Sequence, residues 1–306
     1  MKNLEKKYGK IAIQIASKDR ASEVGLLLES LMFQTYQNFN IYILDDGSQV
    51  PLTNFYFINY LVARLKLQGH NVKIIKNNIA SGVSKARQQL VDYVMKYGKE
   101  KLYCRIDDDS ICDSKFLEKL IEGIESGYAL VGCIVSPIPG PDIKRDIKYV
   151  EPVINLARLN NKGELIQNED SCGYRYTEEK IIPAPHFRSS CLYKKEIHEA
   201  GVDYNSRLSK NGFREENIFS WKCLIKGFKI AIHTGAINWH LATPSGGERD
   251  TMNMTAFNQE QFDLITKKMF ENEGDFLQKY YDKLGITLPP INENELLKAT
   301  NLITRK

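Results

Sequence analysis

Two hydrophobic periods alternate along the first 135 residues. KIAIQIA (10–16) has the pattern of a strand, and Val24, Leu27, Leu28 and Leu31 then recur at i, i+3, i+4 and i+7, the apolar stripe of a helix lying on a sheet. FNIYIL (39–44) predicts a second strand, followed by a helical stretch through Leu61 and Leu65. NVKIIKN (71–77) predicts the third strand, SKARQQLVDYVMKYG a helix with a glycine stop, and KLYCRI (101–106) the fourth strand. DSKFLEKLIEGIESG reads as the next helix, with Asp113 or Ser114 as its N-cap, and YALVGCIV as the next strand. Strands and helices alternating at this spacing mean βαβ units and an α/β fold with a mainly parallel, Rossmann-like sheet flanked by helices.

The alternation stops near residue 136. SPIPGPDIKRD is rich in proline and glycine, and the segment to about 185 mixes short strands with polar turns, as expected of an insertion over a binding face. Strand and helix signals then resume to about 245. From 246 the character changes again: TAFNQEQFDLITKKMF, GDFLQKYYDKLG and, after Pro289 and Pro290, NENELLKATNLI predict a C-terminal helical extension. Its apolar stripes are expected to pack on the main domain or on a second copy in a homodimer. Peripheral membrane association is left open, although the basic face such a helix needs is weak.

Composition narrows the function classes. With 306 residues and 42% hydrophobic content the chain can bury a large core, and 42 basic against 38 acidic residues leave a formal charge of +4, too small for a nucleic-acid footprint. No stretch approaches the roughly 20 apolar residues that span a bilayer, and MKNLEKKYGK runs straight into a strand pattern without a signal-peptide apolar region. The expected location is cytoplasmic, at most at the inner face of a membrane. The six cysteines (Cys104, Cys112, Cys133, Cys172, Cys191 and Cys223) form no CxxC pair and read as reduced, buried small hydrophobes rather than zinc ligands.

Two acidic clusters stand where strands end: ILDDGS (43–48) and RIDDDS (105–110). In open parallel sheets ligands bind in the crevice outside the carboxyl ends of the strands. Three consecutive carboxylates, Asp107, Asp108 and Asp109, repel one another and call for a counter-charge. A hard cation such as Mg²⁺ or Mn²⁺ supplies it, taking one or two protein carboxylates and completing its shell with water and phosphate oxygens. A solvated turn or helix cap is the alternative reading of the same three residues.

ILDDGS, NNIASGVSKARQQL and RIDDDS occur in that order at a strand end, a helix start and a strand end. SSCLYKKEIHEAGVDYNSRL and FREENIFSWKCLIKGFKIAIH follow. In these five ordered segments, over roughly residues 10–240, the sequence resembles the family 2 glycosyltransferases with the GT-A fold. The resemblance implies a domain at 1–245, with a nucleotide-binding half to about 135, an acceptor half from 136, and a loop and helical tail at 246–306.

Carried over position by position, the resemblance implies that Asp45 accepts the imide hydrogen of a uracil ring, with Ala16 and Asp19 framing the base and Arg87 near the nucleotide. A carboxylate is a strong acceptor for that single donor; an Asx turn with Gly47 is the alternative for Asp45 and Asp46. Asp107 or Asp108 would take the ribose hydroxyls and Asp109 the metal, Mn²⁺ or Mg²⁺. His240, ending a strand-like run, occupies the place where several members of the family complete the metal site with histidine. Glu215 and Glu216 stand at the family's ED pair, whose second member is the catalytic base. Glu216 is the first choice and Glu215 the reserve, with Glu replacing the family's Asp.

The implied reaction is an inverting, metal-dependent transfer of a sugar from a UDP-sugar to the hydroxyl of a glycan, lipid-linked or protein acceptor, in the setting of bacterial glycan or glycoconjugate synthesis. TPSGGERD, with Arg249, would form a loop over the donor diphosphate. His186 is read either as lining the acceptor side or as a core or turn residue, and Trp221 as core. Two other classes compete. A nucleotidyltransferase needs a glycine-rich, lysine-bearing loop after the first strand, and IASKDRASE has no glycine. A non-catalytic nucleotide-sugar-binding homologue or partner subunit is suggested by Glu at the base position.

Overall fold

A computed structural model describes residues 7–138, 157–165, 179–204, 207–248 and 252–287. Three predicted strands and their helices follow the hydrophobic periods closely: β1 (Ile11–Ser17), α1 (Ala21–Met32), β2 (Phe39–Asp46), α2 (Tyr56–Leu67), β3 (Val72–Asn77) and α3 (Val83–Tyr97). They are followed by β4 (Leu102–Arg105), β5 (Ser110–Cys112), α4 (Phe116–Glu125), β6 (Leu130–Pro137), β7 (Ile181–Pro183), β8 (Cys191–Lys194) and the short α5 (Glu196–Glu199). The described chain ends with α6 (Glu215–Ile225), β9 (Ile230–His240), α7 (Met252–Glu273) and α8 (Phe276–Lys283). Most of the insertion predicted over the binding face, Cys172, Arg249 and the NENELLKATNLI helix lie outside the described residues.

The strands join one sheet in the order β3-β2-β1-β4-β8-β6-β9-β5, with β7 on β9. β3, β2, β1 and β4 are parallel, as the βαβ alternation requires. β8 then runs antiparallel between β4 and β6, β6 and β9 are parallel, and β5 returns antiparallel on β9. Both faces are buried. Ile11, Ile13 and Ile15 of β1 meet Val24, Leu27, Leu28 and Leu31 of α1 and the apolar stripe of α4, whereas Ala12 faces the cluster of Leu90, Val91, Tyr103, Tyr193 and Trp221. The period of two along β1 therefore separates two cores. Five described cysteines are free and buried within them.

The tail helices dock on their own domain. Trp221 of α6 is fully buried, its ring 5.1 Å from Phe262 of α7 and 5.8 Å from Phe276 of α8. Asp275 caps α8, accepting from the Gln278 N–H at 2.9 Å. The cap of α4 differs from expectation. Neither Asp113 nor Ser114 occupies the N-cap; Asp113 Oδ1 accepts from Lys115 N–H at 3.2 Å, and Gln34, just beyond α1, accepts the Leu117 N–H at 3.1 Å. A side chain distant in sequence satisfies the orphan amide, which local pattern does not reveal.

Two buried histidines, His70 and His233, and the half-buried His198 make stability depend on pH. His70 lies against Phe39 at 4.0 Å, His198 is bonded to Val202 O and the Tyr193 hydroxyl, and His233 meets Glu122. Burial holds all three below the ordinary imidazole range. The unfolded chain therefore takes up protons first, so their contribution is complete above the unfolded value near 6.5 and is lost as pH falls through it. Asp108, pushed up to about 6 by burial against the pull of Arg20, acts in the opposite sense and offsets part of this. Each titrating histidine contributes a slope of up to about 1.4 kcal/mol per pH unit. The melting temperature is expected to drop between pH 7 and pH 5; a flat or rising profile would contradict the assignment of these histidines as neutral in the fold.

Candidate active site

Both acidic clusters lie at the carboxyl end of the parallel strands, at the edge of a cleft of about 610 Å³. Ala16, Arg87, Asp107, Asp108, Asp109, Glu215, Glu216, His240 and also His186 line it. Asp19 and Asp45 do not line it, and Asp46, Lys18, Arg20, Arg188 and Glu248 do.

The DDGS turn shows why. Asp45 is 1% exposed; its Oδ1 accepts from Ser48 N–H at 3.1 Å and its Oδ2 from Leu52 N–H at 2.9 Å. Gly47, at φ +76°, donates to Asp45 O, and a Cβ there would lie 2.5 Å from Ala80 N. Asp45 thus holds its own turn, the Asx alternative, with both carboxylate oxygens on backbone amides. Asp46, next along the strand, binds the amides of Ser81 and Gly82 at the start of α3 and is the member of the pair that reaches the cleft. Asp19 (φ +53°) also braces loops: its Oδ1 accepts from Gln49 N–H at 2.7 Å, and its N–H donates to Ser48 Oγ at 2.8 Å.

At the RIDDDS cluster, sheet register assembles what is far apart in sequence. β5 pairs antiparallel with β9 so that Ser110 opposes His240, which sets His240 Nε2 3.3 Å from Asp109 Oδ2. That hydrogen bond to Asp109 raises the His240 pKa, against burial. Arg20 Nη1 reaches both neighbouring carboxylates, at 2.8 Å from Asp108 Oδ1 and 3.0 Å from Asp109 Oδ2.

On the opposite wall the first turn of α6 presents its two glutamates unequally. Glu215, with a side chain 1% exposed, bridges Arg87 and Arg105 (2.8 Å to Arg105 Nη2) and accepts from Ser84 Oγ at 3.2 Å. Glu216 is 24% exposed and is held by Arg105 Nη2 at 2.8 Å. Asp107 Oδ1 lies 2.5 Å from Arg87 Nη2. Arg105 itself is 2% exposed on β4, its guanidinium 5.3 Å from the Phe187 ring and 5.7 Å from that of Tyr204. Sequence reasoning passed over Arg105 and Arg20. Arg105 carries a signal, because a charged residue inside an apolar strand needs a buried partner; Arg20 carries none.

These five carboxylates (Asp107, Asp108, Asp109, Glu215, Glu216) meet three guanidiniums, leaving two negative charges in excess. Asp109, in the turn before β5, and His240, at the end of β9, supply one oxygen and one imidazole nitrogen, a donor set suited to Mn²⁺ or Mg²⁺ with most of the coordination shell left to other ligands. The residues fit such an ion, although among the described residues no cluster of three or more His, Cys, Asp or Glu is gathered as a complete cage.

A mostly parallel sheet flanked by helices, with aspartates and an opposing glutamate pair across the crevice, is the GT-A architecture. Residues 13–181, more than half of the chain, match the model of Glycosyl transferase family 2, and the protein belongs to that family. No curated protein matches its sequence. Among solved structures, S. aureus TarS 1–349 in complex with UDP superposes with a TM-score of 0.50 at 14% identity, covering 77% of this chain and 61% of that one. TarS 1–349 alone gives a TM-score of 0.51 at 13% identity, over 76% of this chain and 60% of the other. GalNAc-T7 with UDP, GalNAc and Mn²⁺ gives a TM-score of 0.62 at 12% identity, over 90% of this chain and 51% of that one. This chain therefore spans about half to three-fifths of the length of these structural relatives. At such identities the likeness concerns the fold. Among the described residues no helix is long and apolar enough to cross a membrane.

Proposed function

We propose that the protein is an inverting, metal-dependent glycosyltransferase that moves a sugar from a UDP-sugar to an acceptor hydroxyl. The observation that carries this reading is the approach of Asp109 and His240, 3.3 Å apart across β5 and β9, inside a cleft whose carboxylates outnumber its guanidiniums. An anionic diphosphate enters such a cleft only with a cation, and the UDP held by TarS 1–349 and the UDP and Mn²⁺ held by GalNAc-T7 support that reading. Asp109 and His240 would hold the ion, which supplies charge neutralisation for the departing diphosphate.

The chain's own residues divide the remaining work. Asp107 or Asp108 would bind the ribose hydroxyls, and Ala16 and the neighbouring loop would frame the base. Asp46, which lines the cleft, would meet the uracil imide in place of Asp45 by exchanging part of its bonding to Asn77, Ser81 and Gly82. Glu216 would accept the proton of the acceptor hydroxyl as its oxygen attacks the anomeric carbon from the face opposite the leaving nucleoside diphosphate. Its exposure of 24% against 1% for Glu215 supports Glu216 as base and Glu215 as the anchor of the arginine network. The single base and the family together support inversion.

Calorimetric titration of UDP with Mn²⁺, with EDTA, and into Asp109→Ala tests the donor site. Binding is expected only with Mn²⁺ and with Asp109 present. No binding under either condition would overturn the assignment and return the aspartates to a capped turn.

A further inference from the structure

Arg20 and His240 converge on one oxygen. Asp109 Oδ2 lies 3.0 Å from Arg20 Nη1 and 3.3 Å from His240 Nε2. A cation held by Asp109 and His240 would have to occupy the space around this oxygen, where one guanidinium already pairs with both Asp109 and Asp108. Two positive charges there repel each other in a partly buried setting: the Arg20 side chain is 13% exposed and those of Asp108 and Asp109 are 8% and 6% exposed.

Arg20 is also clamped. Its backbone carbonyl accepts from Val24 N–H at the start of α1, and its Nε donates to Ser245 O at 3.3 Å. Gly246 packs so closely on it that a Cβ there would sit 2.5 Å from Arg20 Cγ. The 245–248 segment is tied to the same loop by the Gly247 N–H to Lys18 O bond, 2.8 Å, and by the Lys18–Glu248 pair, 2.8 Å. The guanidinium is thus placed on the aspartates by packing and hydrogen bonds, where a merely mobile surface arginine would not stay.

We propose that Arg20 is the resident counter-ion of the cation site, so that metal loading is an exchange in which the guanidinium leaves Asp109 as the ion arrives. This rests on the reading of Asp109 and His240 as cation ligands. Arg20 then sets the metal affinity of the donor-free protein: it offsets one of the two aspartate charges when no ion is bound, and it lowers affinity by competing for the same oxygen. No bond of the donor is broken in this step, and Arg20 acts as a positioning residue.

The test is a titration of the full chain with Mn²⁺, free ion being read by electron paramagnetic resonance, for the parent, Arg20→Met and Arg20→Lys. Removing one competing unit charge at the carboxylate pair is expected to tighten Mn²⁺ binding at least ~10-fold in Arg20→Met. Arg20→Lys should fall in between, because an ammonium cannot reproduce the guanidinium fork; it also serves as the test if the Met variant does not fold. A merely structural role for Arg20 would leave the affinity unchanged or weaken it, and either result would overturn the exchange while leaving the cation site standing. Absence of Mn²⁺ binding in all three proteins would overturn the cation reading of Asp109 and His240, and the exchange with it.

Discussion

Glu216→Gln is expected to lower sugar transfer by about 10²–10⁴-fold while changing UDP affinity by less than about twofold, the range that loss of a positioned general base produces. The substitution keeps shape and removes only the proton-accepting charge. Glu216 stands on the cleft wall opposite the aspartates, its carboxylate fixed by Arg105 at 2.8 Å, so the amide would occupy the same place without taking the acceptor's proton. Turnover of a panel of UDP-sugars, read as UDP release, measures the first quantity and calorimetry the second. Transfer within tenfold of the parent would remove Glu216 from the chemistry, and a parallel loss of UDP binding would assign it to the donor site instead.

The neighbouring residue is expected to behave in the opposite way. Glu215→Gln should cost about 3 kcal/mol of stability, because it removes the most buried carboxylate of the network, the one shared by two guanidiniums, and leaves Arg87 with Asp107 and Arg105 with Glu216 as their remaining partners. Arg105, at 2% exposure, cannot turn to water. Urea denaturation of the parent and the variant gives the difference. Adding Arg105→Met to Glu215→Gln should recover at least about 1 kcal/mol, since replacing both members of a buried ion pair costs less than orphaning one. A loss below about 1 kcal/mol for the single variant, or no recovery in the double, would show that the network is screened and contributes little. The two glutamates, adjacent in sequence, are thereby separated into one that acts on rate and one that acts on folding.

Much of the architecture was legible because it is local. The period of two in KIAIQIA and FNIYIL and the period of 3.6 in Val24–Leu31 depend only on which faces are buried, and the observed β1, β2 and α1 lie within three residues of the predicted spans. The five motifs read in order likewise led to the family that the match over 13–181 shows. Less was legible where one residue type serves two purposes. Asp45 reads as a ligand for a base with an Asx turn as the alternative, and the turn is seen only through its bonds to Ser48 and Leu52. Asp113 was a reasonable cap for α4, yet Gln34 accepts the amide.

What the sequence by itself determined about this protein is the succession of strands and helices and the arrival of carboxylates at strand ends, since hydrophobic period and chain order are properties of neighbours. The tertiary structure alone decided which charges meet. Pairing β5 with β9 brings His240 to Asp109, the approach of α6 to β4 joins Glu215 and Glu216 to Arg105, and the turn after β1 lays Arg20 across Asp108 and Asp109. The physical reason is that an ion pair acts over a few ångströms of space, and sheet register, rather than sequence separation, determines which side chains come within that distance.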